Sequence, residues 1–569
     1  MKRIIECVPN FSEGRDRNVI DQIVKSIASV EGVKVLDVDP GEATNRTVVT
    51  FVGEPEAVLE AAFQGVRKAG EVIDMRKHHG AHPRSGACDV LPLVPVAGIT
   101  LEECAVLARG LARRIFEELG VPCYCYEAAA FKPERKNLAV CRAGEYEALP
   151  EKIADPARRP DFSPEEYNET VARNGAVNVG ARNFLVAVNY NLNTTSTRRA
   201  MAIAFDVREK GRKKREGGSL TGKVLKDADG NDIWEPGTLK GCKAIGWYID
   251  EYGIAQVSMN ITDITATPLH VAYEEVSRAA AARGLRVTGA EIVGLVPKSV
   301  LMDAGRFYLA RQQRSLGISD EEIMKIAVKS MSLDDLRPFN PKEKVTEYLM
   351  EDPAEAAAKE RLVRMSLKDF AAETASESPA PGGGSISAYM GALGAALGTM
   401  VANLSAHKRG WDDRWEEFSR WAEKGQTVMK ELVALVDEDT AAFDRIMAAF
   451  GLPKGTEEEK AARAEAIEKA TLYATQVPLR TMKAAFKVFE IAGAMASEGN
   501  PNSVSDAGVG ALAARSAVLG ARLNVKINAV GLKDTAAAAA LIAEADDIAA
   551  KAVELEKQIL GTVNSKIDG

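Results

Sequence analysis

SPAPGGGSISAYMGALGAALGTMVANLSAH, residues 378–407, contains no Asp, Glu, Lys or Arg in thirty positions. Such a run is either a membrane span or a helix buried on every side, and which of the two it is settles the architecture of all that follows. Residues 386–404 draw on Ala, Gly, Ser, Tyr, Thr and Asn as heavily as on large apolar side chains, and the polar Gly382-Gly383-Gly384-Ser385 precedes them. Spans are built mainly from Leu, Ile, Val and Phe. The composition therefore predicts a buried central helix and no membrane span. Gly391, Gly394 and Gly398 would admit close approach of other helices, in a core or at a subunit contact. Amphipathic periodicity over residues 413–450, 456–496 and 533–559 supplies those helices, the pattern of a bundle.

The head of the charge-free run carries chemistry as well as structure. Glycines let backbone approach a ligand closely, and a helix start offers unpaired N–H groups and a positive dipole end to an anion. No Lys follows as a phosphate-binding P-loop requires. In Leu432, Val436, Asp439 and Phe443 an acid interrupts an apolar stripe, which turns Asp439 toward the bundle interior or a cleft, where a carboxylate is paired or functional. By spacing alone Asp412, Asp413 and Asp506 read as helix N-caps.

Before residue 336 the pattern is different. Strand alternation at 2–8, 33–37 and 47–52 is interleaved with a helical stripe at Val19, Ile20, Ile23, Val24 and Ile27, and Thr100-Leu101-Glu102-Glu103 forms a capping box. A second set follows: strands near 183–189, 243–249 and 255–261, a helix near 198–207 and another starting at Thr267-Pro268. The order β-α-β-β-α occurs twice. It predicts two α+β subdomains, each a sheet with helices on one face, with a ligand cleft between them. The expected layout is residues 1–180 and 181–335 for the subdomains, a helical linker at 336–365 around Asp352-Pro353, and a helical domain at 366–569.

Composition bounds the functional classes. The 569 residues are 46% hydrophobic and 27% charged with a net charge of −8, which suits soluble globular domains and argues against general nucleic-acid binding. All seven cysteines lie between Cys7 and Cys242, and residues 1–8 show no signal-peptide pattern, so a cytoplasmic protein is expected. Arg208 to Arg215 holds six basic residues in eight, either a solvated loop tip or a grip on an anionic partner. No aromatic platform is interleaved for nucleic acid.

Lys77-His78-His79-Gly80-Ala81-His82-Pro83-Arg84-Ser85-Gly86 gathers three of the five histidines. Histidine titrates near neutrality, and Pro83 restricts the backbone of His82, so the stretch reads as a catalytic loop. A metal-dependent hydrolase using His78 and His82 is the rival. Gly80 and Pro83 break the helix that this spacing would need, and the Glu of the metalloprotease motif is missing. An ordinary surface loop is the third possibility.

These residues carry a resemblance. Glu6-Cys7-Val8-Pro9-Asn10-Phe11-Ser12-Glu13-Gly14, Thr44-Asn45-Arg46-Thr47, the histidine stretch, Arg142-Ala143-Gly144-Glu145-Tyr146-Glu147 and Gly294-Leu295-Val296-Pro297 resemble the glutamate formimidoyltransferases. Pro379 to Ser385 and the helices behind it resemble the formimidoyltetrahydrofolate cyclodeaminases, and the whole is similar to their fused, bifunctional family. The resemblance implies transfer of the formimino group from N-formimino-L-glutamate to tetrahydrofolate, then cyclisation to 5,10-methenyltetrahydrofolate with loss of ammonia. Tetrahydrofolate is a co-substrate, and no metal or redox cofactor is implied.

The resemblance makes His82 the base and His78 a second loop histidine at the substrate. Asp39 is then expected to stabilise the cationic one-carbon unit, and Arg84 to bind a substrate carboxylate. Folate contacts are implied at Ser163, Gly175, Gly237 and Glu291, although an insert at 212–234 departs from the family pattern. In the helical module the implied acid is Asp412, with Gly382, Gly383, Gly384, Ser385, Asp439 and Asp506 shaping the pocket. The basic run 208–215 would tether a folate polyglutamate tail, and a homo-oligomer is expected. A transferase with a purely structural bundle, a folate-binding scaffold and a metal-dependent hydrolase stay open.

Overall fold

The computed structural model describes residues 3–42, 44–80, 83–218, 222–351 and 357–568. Contact density divides the chain into two compact units, Met1–Ala304 with Val328–Met350, and Gly305–Ala327 with Glu351–Gly569.

The first unit opens with β1 (Ile4–Cys7), β2 (Asn10–Phe11), β3 (Val33–Gly41), β4 (Arg46–Gly53), β5 (Cys88–Ala97), β6 (Cys123–Glu127) and β7 (Val177–Ala181). β1 and β2 lie end to end between β4 and β5, and β3 lies outside β4. β7 and β6 extend the other edge in parallel, an addition that the two-subdomain pattern did not foresee. Side chains alternate across a strand. Ile5, Cys7, Val49, Phe51, Leu91 and Leu93 therefore share one face and pack on helices Arg17–Ala28, Pro55–Val72 and Leu101–Leu119. The last of these starts at the expected capping box, with Thr100 and Glu103 bonded reciprocally at 3.2 and 2.8 Å.

The opposite face of that sheet is polar where it matters. Val48 pairs with Asn10 on one side and Asp39 on the other, so those two side chains share a row on the face away from the helices. Glu6, between Val52 and Val94, lies on the same face.

The second sheet contains β8 (Val186–Leu192), β11 (Cys242–Ile249), β12 (Ile254–Ile261) and β13 (Val287–Val293), with a small hairpin, β9 (Arg212–Lys213) and β10 (Trp234–Glu235), built by the insert. Its order is β11-β12-β8-β13, all antiparallel, and this repeats the order β3-β4-β1-β5 of the first sheet. β8 begins later than the expected 183–189 because Val186, Val188, Tyr190 and Leu192 are the fully buried alternate residues. Part of the expected 336–365 linker is packed. Val345 and Thr346 are buried, and Val296 bonds Lys344 and Thr346 through the backbone at 2.9 and 3.1 Å.

The second unit is a helical bundle: Gly383–Ala406, Trp415–Phe450, Glu457–Phe486, Val488–Glu498, Val504–Ala529 and Thr535–Asp568. The predicted run 456–496 is thus two helices, joined at Lys487. Gly383–Ala406 is, among the described residues, the helix long and apolar enough to cross a membrane, with 61% of its most apolar window buried. A Cβ on Gly394 would meet Gly510 O at 2.8 Å, and one on Gly398 would meet Ile491 at 2.9 Å. Its small residues are where neighbouring helices come closest, so enlarging one would force strain of about 1–3 kcal/mol. Residues 305–327 group with this unit, where Gly317 O accepts from Asn403 at 2.9 Å and Leu316 N donates to Ser419 at 2.9 Å.

Candidate functional site

The histidine loop is held by segments distant in sequence. His78 is buried, and its Nε2 donates to Asn45 O at 2.9 Å, since a carbonyl only accepts. Arg84 Nε donates to His78 Nδ1 at 3.4 Å. Burial, with the Arg84 charge adding to it, pushes the His78 imidazole below its ordinary value, against the bond to Asn45. Asn45, at a left-handed φ of 50°, donates to His79 O at 2.9 Å and accepts from Gly14 N at 3.0 Å. At the far side of the loop Ser12 Oγ donates to Gly86 O at 2.8 Å. His82 and Ala81 lie outside the described residues.

Arg84 corrects an expectation. Its side chain is 10% exposed, and its guanidinium reaches Glu145 at 3.0 Å and Glu147 at 2.6 Å as well as His78. With these partners engaged, it is not a free cation awaiting a substrate carboxylate. In turn the guanidinium holds the Glu147 carboxyl below its usual range. Behind the loop, buried Asp89 accepts from Ser85 N at 2.9 Å and pairs with Arg142.

Asp39 faces Asn10 across Val48, and the Arg46 guanidinium bonds Asn10. Burial brings Arg46 down to about 10, with Asp89 and Asp39 opposing the fall. Glu6 is pushed up to about 7 by burial, the Arg182 charge working against it. Of the folate candidates, Gly175 adjoins the loop: at φ 69° it bridges Gly86, and a Cβ there would strike Ser85 O at 2.2 Å. Ser163 turns to Pro164 O at 3.1 Å. Gly237 is crowded against Arg208 O, and Glu291 accepts from Asn189 at 3.3 Å and Tyr252 at 3.4 Å. These three sit on elements other than the loop.

Two of the six basic residues in the run are ion-paired, and a third stacks on an aromatic ring. Arg212 pairs with Asp206, Lys213 with Asp232 at 2.6 Å, and Lys210 lies 4.2 Å over Trp234.

In the second unit the predicted residues divide. Gly384 abuts Asp439 so closely that a Cβ would be 2.1 Å from its carboxylate. Ser385 Oγ donates to Val436 O at 2.8 Å and approaches Asp439 at 3.3 Å, while Gly383 faces Asn524. Burial raises the Asp439 carboxyl, and the Ser385 hydrogen bonds oppose the rise. Asp412 stands beyond the other end of the same helix, exposed in the turn Asp412–Arg414. At 1.5 Å per residue, Gly383–Ala406 separates the two by about 35 Å. The helix Val504–Ala529 runs antiparallel, with Gly520 against Ser387 and Gly510 against Gly394, which leaves Asp506 toward the Asp412 end. One chain therefore brings Gly382 to Ser385 together with Asp439 and does not bring Asp412 or Asp506 to them. Among the described residues no group of three His, Cys, Asp or Glu side chains is placed to hold a metal.

Comparison with known proteins bears on both units. The formiminotransferase domain, N-terminal subdomain, matches residues 4–182; the formiminotransferase domain matches 187–351; the formiminotransferase-cyclodeaminase family matches 366–547. A formimidoyltransferase-cyclodeaminase of Rattus norvegicus is 41% identical over 534 residues, 94% of each chain. The chain belongs to the formimidoyltransferase-cyclodeaminase family. A glutamate formimidoyltransferase of Thermoplasma acidophilum is 41% identical over 54% of this chain and 92% of its own. A methenyltetrahydrofolate cyclohydrolase of Methylorubrum extorquens is 40% identical over 36% of this chain and 98% of its own.

Asn10, Asn45, Asp89 and Glu147 were not singled out individually in the sequence. Glu6 to Gly14, Thr44 to Thr47 and Arg142 to Glu147 carry the family resemblance without a role for each residue, and the structure shows that Ser12, Gly14, Asn45 and Glu147 from them support the histidine loop.

Proposed function

We propose that this chain is a bifunctional enzyme of histidine degradation and one-carbon folate metabolism. It transfers the formimino group from N-formimino-L-glutamate to tetrahydrofolate, then cyclises 5-formiminotetrahydrofolate to 5,10-methenyltetrahydrofolate with release of ammonia. The observation that carries this is the succession, in one chain, of both transferase matches and the cyclodeaminase match, at 94% coverage of a bifunctional relative.

In the transferase step nitrogen 5 of tetrahydrofolate attacks the amidinium carbon; the tetrahedral intermediate loses a proton from the attacking nitrogen and gains one on the glutamate nitrogen, and the bond from the carbon to that nitrogen breaks to release L-glutamate. His82 relays that proton in this reading. Asp39, on the polar sheet face, stabilises the cationic carbon. Gly175 shapes the folate side of the loop, and Ser163, Gly237 and Glu291 extend the folate contacts. Binding of the glutamyl carboxylates falls to groups other than Arg84.

In the second step nitrogen 10 closes onto the one-carbon unit and ammonia departs with a proton. The resemblance makes Asp412 the acid that supplies that proton. A second reading has a specific observation behind it: Asp439 lies against the glycine head of the helix, with Ser385 Oγ 3.3 Å from its carboxyl, and burial raises that carboxyl above its ordinary value, the direction that favours a proton donor. Gly382, Gly383, Gly384 and Ser385 then bind substrate through the helix start. A polyglutamylated folate, a homo-oligomer and a metal-free cytoplasmic enzyme complete the proposal. The seven unpaired, buried cysteines suit a reducing compartment.

A two-product assay tests it. His82→Ala should stop consumption of formiminoglutamate and leave ammonia release from supplied 5-formiminotetrahydrofolate intact, and Asp412→Asn should do the reverse. A chain that hydrolyses 5,10-methenyltetrahydrofolate but releases no ammonia would move the helical unit to cyclohydrolase chemistry instead.

A further inference from the structure

His78 is placed like a reactive histidine but has both ring nitrogens engaged. Nε2 donates to Asn45 O at 2.9 Å, and Nδ1 accepts from Arg84 Nε at 3.4 Å. A carbonyl cannot donate and a guanidinium cannot accept, so the two partners together select the neutral tautomer with its proton on Nε2. Protonating Nδ1 would break the bond to Arg84 and set two cations side by side. Arg84 cannot swing away cheaply, because Glu145 and Glu147 hold its guanidinium at 3.0 and 2.6 Å.

Asn45 closes the other side of this arrangement. One side-chain amide ties Gly14 N to His79 O, and the backbone carbonyl of the same residue accepts the hydrogen bond from His78 Nε2. Gly80 lies so near that a Cβ would stand 2.4 Å from Thr44 O. The chain entering residues 81–82 is therefore clamped at 78, 79 and 80, and the chain leaving them is clamped at Arg84, whose carbonyl also accepts from Tyr146 N at 2.9 Å.

We propose that Asn45 and His78 are positioning residues of the transferase step: a neutral strut and its clamp, which aim the loop carrying His82 and exchange no proton with the substrate. This assigns His78 a role different from the substrate contact expected of it, and it rests on His82 being the base. A misplacement on the order of 1 Å at a reacting group can cost roughly a hundredfold in rate without altering binding. Asn45→Ala should therefore lower kcat for formimino transfer by about 30- to 100-fold, with KM for formiminoglutamate within about threefold.

Asn45→Gly, which tolerates φ 50°, tests the amide clamp with the backbone undisturbed and should show the same split. His78→Ala should fall similarly, and His78→Gln, whose amide N–H can still reach Asn45 O, should recover about tenfold of that loss. Arg84, Glu13 and His79 are the charged or titratable groups acting on His78, with Glu145 and Glu147 behind Arg84. None of them is altered in these variants, so the acid limb of the pH–kcat profile should keep its midpoint in His78→Gln. Full-length protein is used throughout.

Wild-type kcat in both Asn45 variants would overturn the proposal, as would loss of the acid limb in His78→Gln. His82→Ala runs alongside: if it alone retains full transfer while the Asn45 variants do not, the assignment of the base has failed and the clamp stands.

Discussion

The histidine loop of the first unit and the glycine head of the second were both legible as short motifs, yet the fold treats them in opposite ways. Around the loop it converges: residues 12–14, 45, 78–80, 84–86 and 145–147 meet in one network of buried and half-buried polar bonds. Around the head it separates: Gly384, Ser385 and Asp439 stay together, while Asp412 stands about 35 Å away along the helix that joins them. A β-rich unit folds distant segments onto one sheet end, so that motifs far apart in sequence support one loop. A long helix does the reverse, since each residue adds 1.5 Å of rise. Motifs that look adjacent across some thirty residues need not share a site.

The largest expected effect belongs to the base of the first unit. His82→Ala should cost about 10²–10⁴-fold in transfer, measured as formiminoglutamate consumption, with ammonia release unchanged. The separation in the bundle is sharpened next. Asp412→Asn should lower ammonia release by about a hundredfold, whereas Asp439→Asn should chiefly raise KM for the folate, by about tenfold. The reverse order would place proton transfer at the helix head. Gly384→Ala, which drives a methyl into the Asp439 carboxylate, should follow Asp439→Asn in the same assay.

A smaller effect concerns stability. Burial raises the Glu6 carboxyl from 4.5 to about 7. A group that keeps its proton more firmly when folded contributes stability that is complete below pH 4.5 and is lost as pH rises to about 7. Glu6→Gln removes that loss. Thermal denaturation should find the variant more stable than wild type by about 1–3 kcal/mol at pH 8, and the two curves should converge toward pH 5. The smallest effect belongs to the insert. Because Arg212 and Lys213 are already paired, Lys210→Ala and Lys214→Ala together should change KM for polyglutamylated tetrahydrofolate by no more than about threefold, and less in high salt.

Local pattern determined a good deal of this protein. The absence of charge and the wealth of small residues in 378–407 marked a central helix, the Thr100 capping box marked a helix start, and the doubled order of elements marked two related sheets. These are consequences of side-chain period and backbone propensity, which act within a few residues and so can be read from them. What only tertiary structure decided is which groups are already partnered. Arg84 looked like a free cation until Glu145 and Glu147 were folded onto it, and His78 looked like a substrate contact until Asn45 and Arg84 took both its nitrogens. Asp412 looked like a neighbour of the glycine head until the helix between them set it apart. Pairing and separation depend on contacts between residues tens of positions apart, and no local period encodes them.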